Sequence, residues 1–286
     1  MNSAEELAAQ VTTLVSFPDV ALRIGDMIDD GNSDAARIAA VIEQDPALAA
    51  TLLRIANSAL YGSSASVDSL AKAFMRIGAR EIRELTLGIC ATRAFAGVPN
   101  EIVTVRDFWR HSLLCGSAAR VVARTLRLRE AGMVFTAGLL HDVGHLVMFN
   151  QLPQPSLEAL ALCRDELDGE NLHVAEREVL GFDHTDVGRE LGVRWRWPSS
   201  LTDCIAAHHD PFGHPDAGKA AVLVHVANSL ATRVELGLDT EEIAPEEAAP
   251  VDPRAWEALG LEADAVPPML EEIAQASAGM AELFSV

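Results

Sequence analysis

Apolar residues recur at intervals of three and four along most of the chain, the spacing that puts them on one face of an α-helix. Leu7, Val11 and Leu14 form the first such stripe, and Ser3 with Glu6 three residues later makes a capping-box pair, so a helix is predicted over residues 4–15. Phe17 and Pro18 interrupt it, and a second run through Leu22, Ile24 and Ile28 leads to a predicted turn at Gly31 and Asn32. Ser33 is placed to cap AARIAAVIEQ, which should end near Gln44, and Asp45 followed by Pro46 opens a successor through Leu48, Leu52, Leu53 and Ile55. After a turn around Gly62, Ser66 or Ser69 caps a short helix ending at Gly78, and helical spacing resumes from Ala79 to Phe95.

The GVPN segment at 97–100 is the best boundary, because glycine and proline interrupt helices on both sides of it. Beyond it, residues 105–128 read as a long amphipathic helix and 131–150 as a nearly apolar, buried one. Residues 171–192 read as a helix pair separated by GFDH, and two further helices at 200–209 and 217–236 are joined by the turn-forming HHDPFGHPDAG. From Glu235 to Glu272 there are twelve acidic residues and one arginine, broken by five prolines, before a last helix near 268–284. The predicted division is an N-terminal helical lobe at 1–98, a second helical lobe at 99–236 and an acidic extension at 237–286.

Composition agrees with an all-α chain: hydrophobic residues supply 49% while aromatics supply 5%, with a single tyrosine, which disfavours sheet. A formal charge of −20 repels polyanions, so nucleic acid is not an expected partner. Glu5 and Glu6 stand where a secretory leader needs positive charge, and no long apolar run lacks ionisable side chains, so the expectation is a cytoplasmic protein without membrane insertion. Cys90, Cys115, Cys163 and Cys204 follow neither zinc-ribbon nor disulfide spacing and read as free thiols.

Chemistry concentrates in AGLLHDVGHLVMF, where His141, Asp142 and His145 interrupt a strongly apolar run. Polar groups in such a setting need a ligand, a partner or solvent, and either a metal ion or a water-filled cleft would serve. His145 can share a helical face with His141, and metal ligation, phosphate contact and a structural role all remain open for it. The chain lacks a P-loop and a GxSxG nucleophile elbow. Arg110, Arg120 and Arg124 offer either a local phosphate site or a solvated helix face, and Trp109, Trp195 and Trp197 either a binding patch or core packing.

These motifs occur in an order that resembles the HDOD family, a branch related to HD-domain phosphohydrolases, over most of residues 15–235. The resemblance is carried by IEQDPALAATLLRIANSALYG and SLAKAFMRIGAREIRELTLG in the first lobe. In the second it is carried by FWRHSLLCGSAARVVA, AGLLHDVGHL, LGFDHTDVGRELGVRWRWP and IAAHHDP with AVLVHVANSLA. It implies a two-lobed helical architecture with an HD-like C-terminal lobe. It further implies a metal set of His111, His141 and Asp142, with Asn228 where an aspartate commonly completes the site. Similarity to the HD-GYP phosphodiesterases adds His184, His208 and His209 as ligands, for a one-ion or two-ion centre holding a divalent metal such as iron or manganese.

Departures from the pattern accompany it. Asn228 is neutral, His145 stands where lysine usually follows the central motif, and Gly213, His214 and Pro215 replace the expected GYP loop. Asp142, His145 and His214 are the candidate catalytic groups. The function implied is a bacterial signalling or regulatory protein that binds a regulatory protein or a small phosphate-containing ligand. The alternative is a metal-dependent phosphohydrolase acting on a cyclic nucleotide or cyclic dinucleotide.

Overall fold

Capping side chains set where the helices of this chain begin. The structure, a computed structural model, describes residues 3–284 apart from 16, 31–33, 62–65, 99, 129–130, 164–171 and 237–250. Helix α1 (Ala4–Leu14) opens in the Ser3–Glu6 capping box, and α2 (Asp19–Asp29) follows Pro18. Asp34 caps α3 (Ala35–Ile42) by accepting the Arg37 amide; the predicted cap Ser33 and the turn residues Gly31, Asn32 and Gly62 lie outside the described residues. Asp45 accepts the Leu48 amide at 2.9 Å to start α4 (Pro46–Ala56), and Ser69 caps α5 (Leu70–Ile77). Helix α6 (Ala79–Phe95) follows directly, and Thr104 caps α7 (Val105–Thr125).

The predicted single helix over 131–150 is two helices, α8 (Ala131–Leu140) and α9 (Val143–Gln151), broken at His141 and Asp142. Then come α10 (Pro153–Leu162), α11 (Leu172–Leu180), α12 (His184–Arg194), α13 (Ser199–Ala207) and α14 (Lys219–Glu235). The chain ends in α15 (Pro253–Leu259) and α16 (Val266–Phe284). No strand occurs among the described residues, and the architecture is all-α.

Helix α7 lies at the centre, packed against α8, α14 and α16, while α6 reaches it by packing on α8. The crossing of α7 and α8 is close because it is glycine-lined: a Cβ on Gly138 would sit 2.9 Å from the Cys115 carbonyl oxygen. Helix α1 packs not on its sequence neighbours but on α12 and α9, burying Leu7, Ala8 and Val11 completely. Helix α16 packs on α7 and also contacts α4.

Trp109, Trp195 and Trp197 are all buried, and Trp195 stacks on Phe17 with ring centroids 4.9 Å apart, so the three tryptophans are core residues and offer no binding patch. All four cysteines are free thiols. Residues 131–151 are long and apolar enough to cross a membrane, but 89% of the apolar window is buried inside the fold, as expected of a core segment.

Candidate metal centre

The break between α8 and α9 sets the site. Asp142 occupies the cap position of α9, yet its carboxylate makes no capping bond and turns instead toward the imidazoles of two other segments. Gly144 permits this, because α9 passes so near the start of α12 that a Cβ there would lie 1.9 Å from the His184 carbonyl oxygen.

Each imidazole is aimed by its own second nitrogen. His141 Nδ1 donates to the Gly138 carbonyl at 2.7 Å, and His208 Nδ1 to the Ile205 carbonyl at 2.8 Å. His184 Nδ1 meets Glu176 Oε2 at 2.7 Å. With Nδ1 committed in all three, Nε2 points inward: at 3.1 Å from Asp142 Oδ2 for His141, and at 3.3 and 3.5 Å from Asp142 Oδ1 for His184 and His208. His209 Nε2 lies 3.1 Å from His184 Nε2. An imidazole fixed by a carbonyl or carboxylate on one nitrogen, with the other directed at a common point, is the arrangement of a metal-ligating histidine.

The donors meet the requirement that separate ligand atoms converge. One nitrogen or oxygen from each of Asp142, His184, His208 and His209 falls within 4.8 Å of the others, and so do the atoms of His111, His141 and Asp142. His141 Nε2 is fully buried and makes no hydrogen bond, since its approach to Asp142 lacks hydrogen-bond geometry. A buried imidazole nitrogen left in that state fits a cation as partner, and the nitrogen and carboxylate donors suit zinc, iron or manganese.

Electrostatics within the cluster is strongly coupled. Burial alone would push the Asp142 carboxyl up, but the neighbouring imidazoles of His141, His184 and His208 hold it well below the carboxylate range. Burial works against a charged His184, yet Glu176 and Asp142 outweigh it and raise the ring to about 10. Burial instead carries His208 down to about 4 and lowers His209, where His208, His184 and His173 add repulsion.

His111 lies at the edge, with Nε2 3.0 Å from Asn228 Oδ1 and Nδ1 2.8 Å from Glu235 Oε2. Asn228 thus acts on His111 through its neutral amide oxygen. His145 is turned inward: Nε2 sits 2.9 Å from Glu176 Oε1, its ring stacks on His184 at 3.8 Å, and Nδ1 is 3.8 Å from Asp142. His214 is not part of the three donor clusters found among the described residues, and its buried Nδ1 has no hydrogen-bond partner. The arginines are taken by carboxylates: Arg110 by Glu235, Arg120 by Glu81 and Arg124 by Glu272.

Three residues not singled out in sequence complete the surroundings. Glu176, 1% exposed, bridges His145 and His184 and forms a third donor cluster with them. Its position is readable afterwards, since it lies four residues from both Leu172 and Leu180 on the inward side of α11. Glu235 fixes His111, and His225 Nδ1 donates to the His208 carbonyl at 2.7 Å.

Comparison with known proteins covers most of the chain. The profile of the HDOD domain matches residues 14–211. An uncharacterized protein of Treponema pallidum (strain Nichols) is 24% identical over 212 residues, which make up 72% of this chain and 40% of that protein. The aligned part of the chain therefore spans well under half the length of that curated relative. A crystal structure from Shewanella amazonensis SB2B, provisionally named a phosphohydrolase, superposes with TM-score 0.75 at 23% identity, covering 97% of both chains. One from Marinobacter aquaeolei VT8, provisionally named a signal transduction protein, superposes with TM-score 0.71 at 22% identity, covering 97% of this chain and 61% of the other. At these identities the likeness shows a shared fold.

Proposed function

Since the chain belongs to the HDOD family and gathers histidines around Asp142, we propose that it is a regulatory protein whose centre holds a divalent ion without turnover. Asp142 with His184, His208 and His209 would hold one ion, and Asp142 with His111 and His141 forms a second donor set beside it, for a centre of one or two ions. When bound, such an ion would polarise a phosphoryl oxygen and acidify water.

The observation that carries the regulatory reading is the placement of His145. It stands where a cation for phosphate is expected, but it is sealed against Glu176 and stacked on His184. Phosphoryl transfer depends on cationic groups aimed at the transferring oxygens. Here Arg110 faces Glu235, and Arg177 is held by Asp183 at 2.8 Å and Asp186 at 3.1 Å. Asn228 removes a further charge from the region that would orient a nucleophile. The signal-transduction name of the Marinobacter structure agrees with this reading.

A second reading, metal-dependent hydrolysis of a cyclic nucleotide or dinucleotide, is favoured by the partly exposed edge formed by Asp142, His111 and His209. Protein purified without chelators is to be assayed for phosphodiesterase activity with added iron, manganese and magnesium. Bound metal without turnover supports the regulatory centre; turnover that disappears in His141→Ala with Asp142→Ala establishes the hydrolase.

A further inference from the structure

Away from the metal centre, a cavity of about 380 Å³ opens where the start of α6 meets the starts of α8 and α13. Ile77, Met133 and Pro198 give it apolar walls, and Arg80, Glu84 and Ser200 bring polar groups to it. The volume is that of a small-molecule site.

Glu84 distinguishes this cavity from an ordinary surface hollow. Its side chain is 4% exposed, and its Oε2 has no hydrogen-bond partner. The other charges deep in the lining are already paired: Arg83 with Asp29 at 2.5 Å, and Glu81 with the Tyr61 hydroxyl at 2.6 Å and with Arg120. A buried carboxyl oxygen without a partner costs free energy unless a donor reaches it. The outer end has the opposite polarity. Arg80 is exposed, and α13 begins at Ser199 with no side-chain capping bond, leaving its first amides toward the Ser200 end.

We propose that this cavity binds a small zwitterion of amino-acid size, its ammonium or guanidinium end donating to Glu84 and its carboxylate held by Arg80 and the start of α13. Glu84 supplies an acceptor at the closed end, the apolar walls cover a short aliphatic stem, and the anion stays at the wet rim. Two poles of opposite sign at the two ends select a dipolar molecule over a simple anion or a simple amine. Burial of the inner contact gives it the larger share of the affinity.

The test is isothermal titration of the full chain with L-arginine and L-lysine, with agmatine as the analogue lacking a carboxylate. At least one of the two amino acids should bind the wild type at millimolar concentration or better. Glu84→Gln should weaken binding about 10-fold or more, the scale of a hydrogen bond to a charged group. Arg80→Ala, an exposed change that leaves the core intact, should weaken the amino acid while leaving agmatine unaffected. Bound metal stays constant in both variants, which separates this site from the centre at Asp142. Absence of binding by both amino acids, or undiminished binding in Glu84→Gln, overturns the proposal.

Discussion

Glu176 holds His145 and His184 from the far side of the cluster through contacts of 2.9 and 2.7 Å, and it also accepts the His184 amide at 3.0 Å. A neutral amide of the same size keeps the packing but loses the charge that steers both rings. Glu176→Gln is expected to lower metal affinity about 10- to 100-fold, as removal of an outer carboxylate does at other metal sites. Competition with a chromophoric chelator measures this, and an unchanged affinity would show that His184 is oriented by its surroundings alone. Glu84 carries a pH dependence instead. Burial pushes its carboxyl from 4.5 to about 7, with Arg83 and Arg80 opposing and Glu81 and Asp29 adding slightly. The folded chain therefore keeps a proton that the unfolded chain releases, and stability falls as pH rises from 4.5 through 7. The loss is at most about 3 kcal/mol. Urea midpoints of wild type and Glu84→Gln at about pH 5 and about pH 8 should diverge, with the wild type losing more on the alkaline side.

At the scale of elements, the turn between α8 and α9 matters most. Helical spacing treats His141 and Asp142 as neighbours on one continuous helix, and apolar residues on either side hide the break. What ends α8 there is tertiary: Gly144 lets α9 press against the first turn of α12, and Asp142 leaves its capping role for the imidazoles. Gly144→Ala would place a methyl group 1.9 Å from the His184 carbonyl oxygen. Forcing α9 and α12 apart should cost about 1–3 kcal/mol or more and reduce bound metal in step with the melting temperature. Metal retained in full by the destabilised variant would separate the packing of these helices from the centre. Capping chemistry was legible at Ser3, Asp45 and Ser69, which each start the predicted helix, but not at Asp34, Thr104 and Asp183, which cap α3, α7 and α12. Helix α10 begins at Pro153 without a side-chain cap, directly after α9, and α15 is short and lies in an acidic, proline-broken stretch. Neither gave a periodic run long enough to read.

Over the whole molecule, the ends of the chain tie the helices together. Helix α1 lies against α12 and α9, which border the metal centre, and α16 covers α7 while touching α4. Sequence periodicity assigns each helix to its neighbours in the chain and has no means of finding such distant contacts. The same limit applied to the site. The order of motifs brought His111, His141, Asp142, His184, His208 and His209 into view, but Glu176 and Glu235 belong to the cluster only through folding. His214 shared the sequence pattern yet stands apart from the donor clusters.

The central claim is that Asp142 and the imidazoles around it hold a divalent ion. Elemental analysis of chelator-free protein tests it most directly, comparing wild type with the His141→Ala, Asp142→Ala double variant. The account predicts a near-stoichiometric divalent metal in the folded wild type and a sharp loss in the folded variant. Wild-type occupancy in the variant, or a wild-type protein that takes up no divalent ion when one is supplied, would contradict it.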